Sequence, residues 1–129
     1  MESTERSKLR IVGAVMLWAL IVLEVLGMGL AGLAKFQGDQ WQDMFVGWGY
    51  PAWFALVVGA AEVVGALVLF VPRFASYAAS MLIVIMLGAI GTVSWSTYES
   101  GLGSGVPMIH IVALSIILFA RRKRRWRPD

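Results

Sequence analysis

Only three ionisable side chains fall inside the long apolar stretches of this chain: Glu24, Glu62 and His110. Two carboxyls and an imidazole shielded from water can hold, share and pass protons. A charge at mid-bilayer costs about 2.5 to 3.5 kcal/mol on insertion scales, so each of the three should face protein or water rather than lipid. Cysteine is absent. That removes thiol redox chemistry, dithiol relays, iron–sulfur clusters and thiolate-bound zinc. One histidine and two acids form a possible facial ligand set for non-haem iron, but no Glu-x-x-His spacing supports it, and the methionines are too scattered for haem. No metal site is expected.

The elements that position these groups follow from composition. Of 129 residues, 59% are hydrophobic and only 15% charged, whereas a soluble domain is about half apolar and a quarter charged. A bilayer core of about 30 Å needs about 20 helical residues. The stretches 11–33, 52–71 and 75–94 meet this. The fourth, 106–120, does so if it starts near Gly103 and if Arg121 and Arg122 snorkel to the headgroups. The expectation is an all-α fold, a single membrane domain over 1–129. Its four transmembrane helices span about 11–33, 52–71, 75–94 and 104–121, followed by a basic tail, 121–129.

Charge sets the orientation. Arg6, Lys8 and Arg10 precede the first segment, Arg73 lies between the second and third, and Arg121, Arg122, Lys123, Arg124, Arg125 and Arg127 follow the fourth. The other side carries Lys35 with Asp39, Asp43 and Glu99. The positive-inside rule makes both termini cytoplasmic. The first segment imitates a signal peptide but exceeds the roughly 7 to 15 residues of an h-region and contains Glu24, so it is expected to be retained. The tail RRKRRWR reads as a stop-transfer anchor on anionic headgroups with Trp126 in the interface, not as a nucleic-acid element.

In the outer loop, Asp39 and Gln42 form a capping-box pattern, and Trp41, Met44, Phe45 and Trp48 recur at helical spacing. These predict a short interfacial helix, ended by Gly47 and Gly49, with Pro51 opening the second membrane helix. An ordinary aromatic belt accounts for the rings; a flap over a lipid-like ligand is the functional alternative.

Depth follows from helix rise. Glu24 lies about 13 Å and Glu62 about 15 Å below the outer ends of their segments, which puts both carboxyls on one level. Lys35 stands about 16 Å along the axis from Glu24, too far for a direct bridge, and is expected at the interface, snorkelling to lipid phosphate. His110, about 6 to 8 Å deep, is expected to meet Glu62 directly or through water, with Glu24 farther away. Ala55, Gly59, Gly65 and Ala66 make a small-residue stripe beside Glu62, and Gly27, Met28 and Ala31 share the Glu24 face. Gly88, Gly91 and Thr92 complete the expected polar cavity, crowned by Ser94, Trp95, Ser96 and Thr97. Two carboxyls in contact there would share one proton. The alternative is that each stays neutral and donates a structural hydrogen bond between helices.

The residues from Gly32 to Thr92 resemble the DoxX-like small membrane proteins. The pattern is Gly32-Leu-Ala-Lys35-Phe, Gly47-Trp-Gly-Tyr-Pro51-Ala-Trp-Phe54, Gly59-Ala-Ala-Glu62-Val-Val-Gly65, Val71-Pro72-Arg73 and Met86-Leu-Gly88-Ala89. The resemblance implies a four-helix protein of the bacterial or archaeal cytoplasmic membrane, with Lys35, Glu62, Pro72 and Arg73 as family-pattern positions. It also links the chain to subunits of thiosulfate:quinone oxidoreductases or terminal oxidases, to complexes that assist redox balance, and to receptor assembly in a eukaryotic branch. Where many relatives carry a histidine in the third helix, this chain has Val93.

The functional expectation is a non-catalytic accessory or assembly subunit in a quinone-linked or redox-stress membrane complex. If redox-active, it would be a subunit of a quinone oxidoreductase. The alternative is a quinone-binding or proton-coupled protein whose ligand meets Glu62, Glu24, His110, Thr92 and Trp95, and the third is a small-solute transporter working as an oligomer. Expected partners are the lipid bilayer and either an oxidoreductase subunit or further copies of the chain.

Overall fold

A computed structural model describes residues 2–96 and 105–125, with side chains described as far as Arg122. Thr97, Glu99, Gly103, Trp126 and Arg127 lie outside the described residues. Among the described residues five helices follow one another: α1 (Glu2–Ala34), α2 (Gln40–Gly47), α3 (Ala52–Val68), α4 (Ala75–Trp95) and α5 (Gly105–Arg125). Among the described residues there is no strand. Three of them, α1, α4 and α5, are long and apolar enough to cross a membrane. With 17 residues α3 is shorter, and it meets α2 at a bend of 116°; counted as one broken span, this pair gives a fourth.

The first helix begins at Glu2, well before the apolar run at 11. Nothing between Glu2 and Arg10 breaks a helix, and the acidic Glu2 and Glu5 in the first turn favour its positive dipole end. Apolar counting sees only the part that needs lipid. The capping box is not formed either: Asp39 stands at the N-cap of α2 with no side-chain cap bond, its carbonyl accepting from the Asp43 N–H at 2.8 Å. Pro51 occupies the N-cap of α3, extended, just outside the helix it opens.

α1, α3, α4 and α5 pack in a ring, α1 against α3, α3 against α4, α4 against α5 and α5 back on α1, with α2 lying on α3. Trp18 and Glu24 of α1 meet Arg121 and His110 of α5, so these two helices run in opposite directions. One half of the ring is filled by apolar side chains: Leu17 and Ile21 of α1, Ala66 and Leu69 of α3, Leu82 of α4, and Leu114 and Ile117 of α5. Outward-facing positions such as Val15, Leu23, Leu30, Val64, Val84 and Val112 are large, apolar and exposed, as a surface against acyl chains must be. At the apolar end Arg121 does not snorkel; it is buried, with its guanidinium 5.0 Å from the Trp18 ring centroid. Arg122 is exposed.

Candidate functional site: two buried acid–base pairs

Two glycine contacts build the site. A Cβ on Gly32 would lie 2.7 Å from the Gly59 carbonyl oxygen, and one on Gly59 would lie 2.9 Å from the Gly32 carbonyl oxygen. Only hydrogen fits at this crossing, so the α1 and α3 backbones touch. Lys35 stands three residues past Gly32 and Glu62 three past Gly59. In antiparallel helices these positions move apart axially, but side chains lean toward their own helix N-terminus and so converge again. The Lys35 Nζ donates to Glu62 Oε2 at 2.8 Å, with Lys35 5% and Glu62 3% exposed. The ammonium also donates to the Ala31 carbonyl at 3.4 Å and sits 4.2 Å from the Trp41 ring centroid, under α2.

The second pair lies one to two turns away. His110 Nδ1 is 2.9 Å from Glu24 Oε2 and 3.1 Å from Oε1. A Cβ on Gly27, one turn beyond Glu24, would come within 3.0 Å of His110 Cε1, so this glycine makes room for the ring. Among the described residues no hydrogen bond joins His110 to Glu62.

This corrects the expected geometry in three respects. Glu24 and Glu62 do not form a carboxyl pair; each has its own basic partner. Lys35 is turned inward rather than to lipid phosphate, and His110 bonds Glu24 rather than Glu62. The cause is a level error. Measured from the Gly32–Gly59 crossing, Glu62 is about 4.5 Å below it and Glu24 about 12 Å, because α3 starts some seven residues above the crossing. The two apolar segments do not begin at the same height. The separation of Lys35 from Glu24 stands as expected.

Thr92 and Trp95 are not brought to the two pairs. The Thr92 hydroxyl is 2.8 Å from the Tyr50 hydroxyl, tying the α2–α3 connection to α4. Trp95 is 91% exposed. Gly88 and Gly91 are exposed too, with nothing within 4 Å of a built Cβ, and so do not line a cavity. Among the described residues no three His, Asp or Glu side chains converge as a metal set.

The model of the DoxX-like family matches residues 19–118, most of the chain. The chain belongs to the DoxX-like family. In this DoxX-like protein Lys35 and Glu62 are the two halves of the buried ion pair. Pro72 and Arg73 lie in the exposed turn between α3 and α4, where the Arg73 guanidinium sits 5.5 Å from the Phe74 ring centroid. The matched region also holds Glu24 and His110. Neither a curated protein nor a solved structure matches the chain.

Proposed function

We propose that this DoxX-like membrane protein is a non-catalytic accessory subunit, a four-span scaffold with both termini cytoplasmic, that serves a quinone-linked or redox-stress membrane complex. The observation that carries the scaffold reading is the closure of its charges. Lys35 and Glu62 spend their charge on each other across a glycine crossing, and the outward faces of the membrane helices carry large apolar side chains. A side chain held in this way fixes the positions of α1 and α3 and leaves no acid or base of that pair for substrate. The link to quinones rests on family resemblance. Purification in mild detergent tests the role: a stoichiometric protein partner supports it. A homo-oligomer with neither protein partner nor quinone favours the transporter reading.

A second reading, proton-coupled quinone binding, is favoured by one observation. The His110 side chain is 16% exposed, and only its Nδ1 is committed to Glu24. Its Nε2 is therefore available to one carbonyl oxygen of a quinone headgroup, with Glu24 behind the ring to compensate a proton. Lys35 has its donors turned to Glu62, Ala31 and Trp41 and would not complete a two-sided clamp. A quinone co-purifying with the wild type but not with a His110→Leu variant would establish this reading over the first.

The lack of native cysteine makes the topology directly testable. In intact cells, a membrane-impermeant maleimide is expected to label Gln37→Cys and to spare Ser3→Cys until the cells are opened. Labelling of both from outside contradicts cytoplasmic termini.

A further inference from the structure

We propose that α2 is a hinged lid over the Lys35–Glu62 pair, latched by Trp41 at its start and by Phe45 near its end, whose opening admits water to the ammonium. The segment is bracketed by Gly38 and Gly49, with φ of 72° and 94°. These are the only positive-φ residues among those described, and a Cβ on either would meet nothing within 4 Å. Both bends thus occur in open space and in a backbone region that glycine adopts without strain. Between them α2 behaves as one short rigid element. Its underside carries Met44 and Phe45, both buried, while Gln40, Asp43 and Val46 are exposed.

The latches lie on opposite sides of the lid. At the start, the Trp41 ring covers the Lys35 ammonium at 4.2 Å. Just past the Gly49 hinge, Tyr50 bonds Thr92 of α4 at 2.8 Å and so fixes the ring on which Phe45 closes. Phe45 links the two, with ring centroids 5.3 Å from Trp48, 5.8 Å from Tyr50 and 5.9 Å from Phe54 of α3. Lys35 therefore has carboxylate and backbone beneath it and an aromatic face above. Movement of α2 is the route by which that face is removed while the Gly32–Gly59 crossing stays in place.

Acylation of lysines by a small water-soluble succinimidyl ester tests this on the full chain in mild detergent, with each site read by mass spectrometry. Lys8, whose side chain is 68% exposed, is the internal reference. In the wild type Lys35 reacts far more slowly than Lys8. Trp41→Ala raises the Lys35 rate about tenfold, as removal of a desolvated cation–π contact would. Tyr50→Phe, which touches neither Lys35 nor Glu62, raises it roughly fivefold through loss of one hydrogen bond. Lys8 is unchanged in both. Should Trp41→Ala fail to fold, Tyr50→Phe decides alone. Two results overturn the lid: Lys35 reacting as fast as Lys8 in the wild type, or Tyr50→Phe leaving the Lys35 rate unaltered. The latter would reduce the cover to a local side-chain contact.

Discussion

Replacing Lys35 with methionine is expected to destabilise the protein by about 3 to 5 kcal/mol, because it leaves the Glu62 carboxylate buried and without its partner. Glu62→Leu is expected to cost as much, for it strands the ammonium in the same place. The informative variant is the double one. A buried ion pair gains in mutual attraction about what it loses in desolvation, so Lys35→Met with Glu62→Leu should recover wild-type stability or exceed it. Unfolding in detergent followed by circular dichroism measures all three. Additive losses in the double variant would mean that the two side chains act separately. On this account the pair adds little net stability and instead fixes the register of α1 on α3: a slip of one residue along either helix breaks the 2.8 Å contact.

The second large effect is at the crossing. Gly32→Ala places a methyl 2.7 Å from a backbone oxygen and 2.8 Å from Val63 Cγ2. The backbone cannot give way as a side-chain tip can, so α1 and α3 must separate, at a cost of about 1 to 3 kcal/mol for overpacking. Separation also lengthens Lys35–Glu62, which moves the expected value to the upper end. Gly88→Ala is the control, since its Cβ meets nothing within 4 Å. There alanine gains about 0.5 to 1 kcal/mol in helix propensity. Opposite signs for two glycines in membrane helices separate a packing role from a compositional one. Equal effects would remove the crossing from the account.

Much of this architecture is legible in the sequence. Helix length against bilayer thickness locates the apolar parts of α1, α4 and α5, and the stripe of Ala55, Gly59, Gly65 and Ala66 beside Glu62 is buried as its phase requires. The short helix α2 is also found where Trp41, Met44 and Phe45 fall at helical spacing. What escaped is the relative height of segments. Hydropathy gives where a segment enters lipid but carries no register, and register here comes from Gly32 meeting Gly59. The signal was present in a form that depth arithmetic passes over. Gly32 and Lys35, Gly59 and Glu62, and Glu24 and Gly27 each place a glycine three residues from an ionisable group. Gly88 and Gly91 show the limit of that signal, because small residues without a partner glycine or a charge turn outward just as readily. The place of Lys35 is hidden for a different reason: its surroundings are completed by Trp41, from an element that folds back over it.

Lys35 and Glu62 are bonded to each other inside the protein. Solid-state NMR of the protein in lipid bilayers, with labelled lysine side-chain nitrogen and glutamate carboxyl carbon, measures that contact directly. The account expects a strong Lys35 Nζ–Glu62 Cδ dipolar coupling, together with one between His110 Nδ1 and Glu24 Cδ. A Lys35 nitrogen coupled instead to lipid phosphorus, with Glu62 showing no nitrogen neighbour, would contradict it.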